Sequence, residues 1–206
     1  HLLGILMMFK EHIENFSNIR TLNISVEDRQ LVSDLEFLTE KPMIYICNVD
    51  ESSAVKGNQY VDMVIEKLQG EKAEILVIAA ASEAEIADLE SVDERNEFLN
   101  YLGLEEPGVN KLVRAAYRLL KLRSFFTIGP KEIRAWTIRE GMNAQQAAGV
   151  IHSDLERGFI RAEVIKYDDF ISLKSESACK DKGKLRLEGK GYIVDDGDLM
   201  HIRFNV

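Results

Sequence analysis

The sequence of 206 residues is poor in cysteine and contains no long hydrophobic run. Its two cysteines, Cys47 and Cys179, cannot form a disulfide framework and do not have the spacing of a metal site. The segment from Leu2 to Phe9 is far shorter than the roughly 18 apolar residues that a membrane span needs, and it lacks the features of a signal peptide. These absences predict a cytoplasmic globular protein without a metal site and without a membrane partner.

Motifs for phosphate chemistry are also absent from the sequence. Gly183-Lys184 has no glycine at the spacing of a phosphate-binding loop, and Leu185 stands where Ser or Thr would hold magnesium. No Asp is followed three positions later by Gly, and the four histidines are scattered, so no Ser-His-Asp or Cys-His arrangement can be argued. We therefore predict no catalytic residues in this chain.

The net charge of −9 is unevenly distributed along the chain. The stretch from Ser124 to Val206 holds 13 basic and 13 acidic residues, so the whole negative charge lies between His1 and Arg123. Such asymmetry suggests two units with different surfaces. The acidic half argues against broad nonspecific binding to nucleic acid, whereas the neutral half neither demands nor excludes an RNA partner.

The first residues form a pattern that is typical of a coiled-coil helix. Apolar residues alternate at spacings of four and three, and the seam comprises Leu2, Leu6, Phe9, Ile13 and Phe16. An ordinary amphipathic helix on a globular core is the alternative. Because no later segment supplies a matching heptad, we expect the chain to begin inside an element whose other half is missing.

Ser25 then predicts the start of a second helix, which Pro42 would end. The predicted apolar stripe of that helix is Leu31, Leu35 and Leu38.

An alternation of strands and helices follows. Met43 to Cys47 and Glu74 to Ala79 have the composition of buried parallel strands, and Tyr60 to Leu68 between them predicts a helix. Helical stretches from Glu83 to Asn100 and from Asn110 to Leu122 complete this part. The rhythm is that of an α/β fold.

The remainder of the chain is predicted to be rich in strands. A turn at Gly129-Pro130 separates the first two strands, Asn143 begins a helix that ends near His152, and Asp196-Gly197 is a hairpin signal. The predicted strands are Phe125–Ile128, Ile133–Ile138, Ile160–Tyr167, Tyr192–Val194 and Leu199–Phe204. A small mixed sheet crossed by one helix indicates a ubiquitin-like β-grasp domain.

The candidate binding residues follow the first strand of the α/β part. Asn48-Val49-Asp50-Glu51 lies where parallel sheets bind ligands, beyond the carboxyl end of a strand. GTPases carry Asn-Lys-x-Asp at this place, and its Asp accepts two hydrogen bonds from guanine. Here Val49 replaces the Lys and Glu51 replaces the Asp, and a longer carboxylate does not reproduce that geometry. An ordinary polar loop after a strand is the alternative.

The wider sequence resembles the Obg-like ATPase (YchF) family, which has Asn-x-x-Glu at this place. Its motifs appear here in family order over essentially the whole chain. They are Phe37-Leu38-Thr39-x-Lys41-Pro42, Glu83-Ala84-Glu85-Ile86-Ala87-Asp88-Leu89, Leu102-Gly103-Leu104-Glu105-Glu106-Pro107-Gly108, Lys131-Glu132-Ile133-Arg134-Ala135-Trp136-Thr137, Gly158-Phe159-Ile160-Arg161-Ala162-Glu163-Val164-Ile165 and Gly197-Asp198-Leu199-Met200-His201-Ile202-Arg203-Phe204-Asn205-Val206.

The resemblance implies a domain organisation and a set of nucleotide contacts. Residues 1–41 would be the returning half of a coiled-coil arm, 42–123 the C-terminal part of a truncated P-loop nucleotide domain, and 124–206 a TGS domain of β-grasp fold. Asn48 and Val49 would touch adenine, Glu51 would shape the pocket against guanine, and a loop comprising Ala79, Ala80 and Ala81 would close over the base.

The resemblance also implies an activity and partners. The complete protein would hydrolyse ATP with Mg²⁺ and associate with the ribosome or RNA, with its phosphate loop upstream of this chain, while the chain alone would be inactive and would bind no nucleotide tightly. A GTP-binding protein and a nonenzymatic RNA- or ribosome-binding module are the alternatives. The residues proposed for RNA contact form a basic run, which a solvated hairpin would also explain. They are Lys180, Lys182, Lys184, Arg186 and Lys190.

Overall fold

The structure, a computed structural model, describes residues 1–71, 73–129 and 132–205. Contacts between residues divide the chain into two compact units, His1–Leu119 and Leu120–Val206, here called the first and second units. The division falls four residues before the boundary that the charge distribution suggested at Ser124. Among the described residues, no helix combines the length and the apolar composition that a membrane span requires.

The first unit is a mixture of helices and a small parallel sheet. In chain order it comprises α1 (Leu2–Glu14), α2 (Val26–Gln30), β1 (Ile44–Asn48), α3 (Gln59–Lys67), β2 (Glu74–Ile78), α4 (Ala80–Asp88), α5 (Val92–Leu102) and α6 (Gly108–Leu119). β1 and β2 pair in parallel, with Ile44 opposite Glu74 and Asn48 opposite Ile78. The predicted order of strand, helix and parallel strand is confirmed, and β1 lies one residue later than predicted.

The N-terminal helix packs through a different stripe from the predicted heptad seam. Ile5 and Phe9 are buried in α1 and form a small core with Ile19 and Val32, and the ring of Phe9 meets that of Phe37 edge to face at 5.6 Å. Three residues of the predicted seam are exposed: Leu2, Ile13 and Phe16. Phe16 adopts φ 55° beyond the end of α1. Because the chain turns back at this point, α1 packs on the residues that directly follow it.

The second helix begins as predicted but is much shorter. The Ser25 side chain accepts a hydrogen bond from the backbone N–H of Asp28, which confirms the N-cap. After Gln30 the chain forms 3₁₀ turns at Ser33–Leu35 and Leu38–Glu40, and Glu36 between them is left-handed with φ 45°. The predicted stripe is therefore wrong, and its three members are exposed: Leu31, Leu35 and Leu38. A 3.6-residue period does not apply where the helix has ended.

The long helical stretch after β2 is divided into α4 and α5. Ser91 and Glu94 form a reciprocal capping box that starts α5, and Gly103 ends it in a left-handed conformation at φ 70°. The end of α6 at Leu119 leaves Leu122 free to begin a strand, whereas the sequence pattern predicted helix as far as Leu122.

The second unit is a mixed five-stranded sheet with helices. It comprises β3 (Leu122–Ile128), β4 (Ile133–Arg139), α7 (Ala144–Ile151), α8 (Ser153–Arg157), β5 (Phe159–Ile165), α9 (Tyr167–Leu173), α10 (Glu176–Asp181), β6 (Arg186–Glu188) and β7 (Leu199–Phe204). The strand order is β4-β3-β7-β5-β6. β3 runs parallel to β7, and the other neighbouring pairs are antiparallel. Pro130, in the predicted turn before β4, lies outside the described residues.

A continuous core joins α7 to the sheet. Asn143 and Gln146 form a capping box at the start of α7, as the cap prediction required. Small side chains on α7 let the helix lie close to strands whose inward residues include Phe125 and Ile138. The helical members of this core are Ala144, Ala147 and Ala148, all fully buried. The mixed sheet and the helix α7 packed on it were predicted, whereas α8, α9 and α10 were not.

Two details of the predicted sheet are wrong. Tyr192–Val194 is not a strand and makes only an isolated bridge between Ile193 and Asn143, while β6, which was not predicted, pairs with β5. Asp196 and Gly197 do form a turn, with φ 81° at Gly197, but the turn binds β3 instead of closing a hairpin. The Asp196 carboxylate accepts from the N–H of Ser124 at 2.7 Å, and the Gly197 N–H donates to the Ser124 carbonyl at 2.7 Å.

Candidate functional site

The carboxyl ends of β1 and β2 are joined by two hydrogen bonds. The Oδ1 atom of Asn48 accepts from the backbone N–H of Ala80 at 3.0 Å, and the Val49 N–H donates to the carbonyl of Ile78 at 3.0 Å. The second bond continues the parallel pairing of β1 and β2 by one residue. The segment after β1 and the segment after β2, which the family resemblance assigned to one base pocket, therefore lie side by side.

The bond to Ala80 fixes the orientation of the exposed Asn48 amide. A backbone N–H can only donate, so the side-chain oxygen faces α4 and the Nδ2 group faces away from it. Asn48 therefore presents a hydrogen-bond donor at the edge of the sheet. A ring nitrogen of a nucleotide base is an acceptor of the kind that this donor fits.

The segment Ala79–Ala81 is the start of a helix and not a loop. Ala79 is buried at the N-cap position, and Ala80 and Ala81 form the first turn of α4 with exposed side chains. The prediction of a closing loop at these residues is thus wrong, because the helix begins directly after β2. N–H groups in the first turn of a helix have no intrahelical acceptor. Ala80 donates to Asn48, and the N–H of Ala81 lies in the same turn.

Asp50 holds the turn that carries Glu51. Its Oδ1 atom accepts from the Ser53 N–H and from the Ser52 hydroxyl, both at 2.9 Å. Hydrogen bonds from Ser53 and Ser52 hold the pKa of Asp50 below its usual range. Glu51 is the exposed first residue of the 3₁₀ turn Glu51–Ser53. This role of Asp50 was not predicted, although an Asp three residues before a Ser at a helix start is a capping pattern.

A cavity of about 300 Å³ lies between the end of β1 and α3. It is lined by Ile46, Cys47, Asn48, Val49, Asn58, Tyr60, Val61 and Val64. Asn48 and Val49 belong both to this cavity and to the edge that faces α4. Within the described part of the chain, neither Glu51 nor the segment Ala79–Ala81 contributes to the lining.

The basic run of the second unit does not form the hairpin that was the alternative to an RNA contact. Lys180 lies in α10, Lys182 follows the end of α10, and Arg186 begins β6. The Lys184 ammonium pairs with the Asp169 carboxylate at 3.0 Å. Lys190 follows β6 and is exposed, as are Lys180 and Lys182. The five residues therefore lie on several short elements.

Arg186 belongs to a network of side chains centred on the buried Asp198. The Arg186 guanidinium donates to the Tyr192 hydroxyl at 2.9 Å and lies 5.3 Å from the centre of its ring. The Tyr192 hydroxyl donates to the Asp198 carboxylate at 2.7 Å, and the Lys166 ammonium lies 2.8 Å from the other Asp198 oxygen. Although burial opposes its charge, hydrogen bonds to Asp195 and Asp198 raise the pKa of Lys166 above its ordinary value. Arg186 thus has a structural role.

No metal centre is formed by the described residues. Across 1–71, 73–129 and 132–205, no group of three or more His, Cys, Asp or Glu side chains is arranged to hold a metal ion. Cys47 is half-buried beside Asn48, and Cys179 is buried in the second unit. Burial raises the pKa of the Cys179 thiol.

Comparisons with known proteins agree with the resemblance seen in the motifs. The family model YchF-GTPase_C, described as a protein of unknown function (DUF933), matches residues 122–205. A protein of Haemophilus ducreyi named ribosome-binding ATPase YchF is 50% identical over 99% of this chain and 56% of its own length. The protein of the same name from Bacillus subtilis is 46% identical over 98% of this chain and 56% of its own length. The chain thus spans about half the length of the curated relatives it matches.

Solved structures show the same likeness. The structure of the Schizosaccharomyces pombe YchF GTPase matches 97% of this chain and 53% of its own chain, with 30% identity and a TM-score of 0.87. A GTP binding protein from Pyrococcus horikoshii matches 87% of this chain and 48% of its own chain at 17% identity and a TM-score of 0.55, which indicates a shared fold alone. In motifs, sequence identity and structure, the chain is therefore similar to proteins of the YchF family over nearly its whole length.

Proposed function

We propose that this chain recognises the nucleotide base in a ribosome-associated, cytoplasmic ATPase of the YchF type. One observation carries the proposal: the hydrogen bond from Ala80 to Asn48, which joins the two strand-end segments that the family resemblance assigns to the base. The site offers donors from the Asn48 amide and from the first turn of α4. Adenine has ring nitrogens that accept such bonds, and the half-buried Val49 side chain supplies an apolar contact.

We also propose that the first unit is part of a larger nucleotide domain. Parallel sheets ordinarily have both faces covered, whereas Ile46 in the middle of β1 is 49% exposed. Additional strands and helices beside β1 account for that exposure, and they would include the phosphate loop. Residues 1–41 are then a helical arm, Pro42 to Leu119 the base-recognising part, and the second unit, which begins at Leu120, the TGS domain. The Mg²⁺ that the resemblance implies would be held beside that phosphate loop.

The preference for ATP over GTP is assigned to two residues of the turn after β1. Val49 stands where GTPases have Lys, so it presents no ammonium to the base. Glu51 stands where GTPases have Asp, so its carboxylate is carried on a longer side chain. The Glu51–Ser53 turn is fixed by Asp50, so Glu51 cannot readily move back to the position that a shorter Asp side chain would occupy. The guanine-specific pair of hydrogen bonds is therefore not available here. GTP binding is the alternative, and the names of the solved relatives favour it for those proteins.

The test is a change of base preference in the complete protein. The double variant Val49→Lys/Glu51→Asp should shift the ratio of ATP to GTP affinity toward GTP. The difference in binding free energy between the two nucleotides should change by about 1–3 kcal/mol, the value of a recreated bidentate pair. Competition of the two nucleotides against a fluorescent ATP analogue measures the ratio. A matched control is Glu90→Asp/Val92→Lys, which places the same changes at exposed residues before and in α5. An unchanged ratio in the first variant would refute the assigned roles.

The chain alone should not hydrolyse ATP. It has no phosphate loop, so only base contacts remain, and we expect any affinity for ATP to be about millimolar or weaker. Phosphate release by the purified chain, measured with and without a magnesium chelator, should equal the buffer blank. Chelator-sensitive release above that blank would show that this chain carries its own catalytic groups.

A second candidate function is ribosome or RNA binding by the second unit. The relatives' printed name, ribosome-binding ATPase, and three exposed lysines favour it. These lysines, here called the lysine surface, are Lys180, Lys182 and Lys190. Lys184 and Arg186 are less suited to this role, because Asp169 and Tyr192 already bind them.

A further inference from the structure

Glu83 connects the first turn of α4 to the start of α6. Its Oε1 atom accepts from the backbone N–H of Gly108 at 2.6 Å, and its Oε2 atom accepts from the N–H of Val109 at 3.3 Å. A carboxylate at the N-terminus of a helix gains from charge-assisted hydrogen bonds and from the helix dipole. The pair lies 25 residues apart in sequence, and periodicity within either helix does not predict it.

The sequence around α6 is suited to this distant cap and to no local one. Pro107, directly before the helix, has no side-chain acceptor with which to cap it. Glu106 pairs instead with Arg114. Gly108 brings the backbone close to Glu83, because a Cβ atom there would lie 2.8 Å from the Glu83 Oε1 atom and 3.2 Å from a methyl carbon of Ile78. Glycine is unfavourable in a helix, so its presence here is explained by the close approach.

The first turn of α4 is consequently held from two sides. At its beginning, the N–H of Ala80 donates to Asn48 of β1. Three residues later, Glu83 fixes the same helix to α6, and Ser82 and Ile86 of that helix are buried. Asn48 thus depends for its orientation on a helix start whose position Glu83 determines.

We infer that Glu83 is a positioning residue for the nucleotide base, acting through Ala80 on the Asn48 amide. The inference rests on the proposed function, since it concerns the same base site. Glu83 itself does not touch the base in this arrangement, because both of its oxygens face α6. Removing its charge weakens the hold on α6, lets the start of α4 shift, and leaves the Asn48 amide less well ordered for its acceptor on adenine.

The test compares ATP with a ligand that has no base. In the complete protein, Glu83→Gln should weaken ATP binding about five- to tenfold while kcat stays within about twofold, as expected for the loss of one charge-assisted hydrogen bond. Inhibition by inorganic tripolyphosphate should not change, because that ligand uses only the phosphate contacts. Glu85→Gln is the matched control, since Glu85 is exposed two residues later on α4, and it should behave as the unsubstituted protein.

A second variant approaches the same contact from α6. Gly108→Ala places a methyl group against the flexible end of the Glu83 side chain, which can swing aside without unfolding the helix. It should reproduce the selective loss of ATP affinity, with an unchanged circular dichroism spectrum and an unchanged response to tripolyphosphate.

The outcomes are separable. Equal weakening of ATP and tripolyphosphate in both variants would show a general structural role and overturn the positioning role. ATP affinity unchanged in both variants would overturn it as well, while the proposed base site stands if the unsubstituted protein binds ATP more tightly than tripolyphosphate. If the unsubstituted protein binds tripolyphosphate as tightly as ATP, the proposed base site fails and the role of Glu83 fails with it.

Discussion

The two units differ in how completely they bury their own apolar surface. In the second unit, a five-stranded sheet packs against α7 through a continuous core that includes Phe125, Ile138 and Val164. In the first unit, β1 and β2 form a two-stranded sheet whose central Ile46 is half exposed, and the separate core around Phe9 belongs to the N-terminal helices. The second unit is therefore expected to be stable by itself, whereas the sheet of the first unit is suited to receive further elements.

The polar contacts differ in the same way. Asp198 is fully buried in the second unit, with Lys166 and Tyr192 as its partners. In the first unit, Glu71 joins segments that are far apart in sequence, binding the Arg20 guanidinium at 3.0 Å and the Asn18 amide at 2.7 Å. A buried charge is costly when its partner is lost, so these two carboxylates allow the stability of each unit to be tested separately.

The largest effect is expected at Asp198. Asp198→Ala should lower the free energy of unfolding of the second unit by about 3–5 kcal/mol, because it leaves the Tyr192 hydroxyl and the Asp195 N–H without their acceptor and leaves Lys166 with only the exposed Asp195. The chain has one tryptophan, Trp136, which lies in β4, so its fluorescence during urea unfolding reports the second unit. Asp181→Ala, at the exposed end of α10, is the control and should have little effect. A loss below about 1 kcal/mol would show that the network contributes little.

A smaller effect is expected at Glu71, and it should depend on pH. Although burial opposes its ionisation, hydrogen bonds from Arg20, Asn18 and Tyr45 hold the pKa of Glu71 below its ordinary value of 4.5. Since the folded pKa is the lower one, the stabilisation is complete above 4.5 and is lost as the pH falls through the folded value. Glu71→Gln should cost about 2 kcal/mol at neutral pH.

Hydrogen exchange of the β1 and β2 amides measures this change in the first unit. The difference between Glu71→Gln and the unsubstituted chain should shrink in acid, while Glu66→Gln, exposed on α3, should match the unsubstituted chain throughout. A difference that persists below the folded pKa would mean that the side chain contributes through packing and not through its charge.

A third test places the boundary between the units by comparing two polypeptides that begin at different residues. Their free energies of unfolding should differ by about 2 kcal/mol, the value of two or three net hydrogen bonds. The polypeptide Leu120–Val206 should unfold cooperatively with the same midpoint as the second unit of the whole chain. Ser124–Val206 should be less stable, because it lacks the first residues of β3 and the carbonyl of Lys121 that accepts from Glu140 at 2.7 Å. Equal urea midpoints for the two polypeptides would move the boundary back to Ser124.

The smallest effect on stability is expected at the lysine surface. Replacing Lys180, Lys182 and Lys190 by Ala should change the stability of the second unit by no more than about 0.5 kcal/mol. Ribosome binding should weaken. The slope of the logarithm of the binding constant against the logarithm of the salt concentration should become less steep by about one unit for each phosphate that a lysine no longer neutralises. Cosedimentation with ribosomes at several salt concentrations measures both.

The control for the lysine surface is a matched set of exposed lysines in the first unit, namely Lys41, Lys56 and Lys67. Their replacement by Ala should leave the salt slope unchanged. Equal binding by both triple variants would remove the lysine surface as the ribosome contact and leave the second unit with another binding face or with none.

The sequence predicted well those elements that depend on neighbouring residues. β1, β2 and α3 follow from short apolar and amphipathic patterns, and the caps at Ser25 and Asn143 follow from side chains that accept from residues three positions later. The predictions failed at Leu31 to Leu38, where an apolar pattern continued beyond the end of the helix. They also failed at Asp196-Gly197, where the sequence of a hairpin turn belongs to a turn that binds β3. Local propensity cannot tell whether a turn returns to its own neighbour or to a distant strand.

The amino-acid sequence by itself determined the resemblance to the YchF family, the two parallel strands and the position of Asn48 at the end of β1. Only the tertiary structure decided that Asn48 binds the start of α4, 32 residues away, and that Glu83 binds the start of α6, 25 residues away. Such contacts join backbone groups left unsatisfied at helix ends to side chains that sequence spacing cannot pair. They exist because packing brings these segments together.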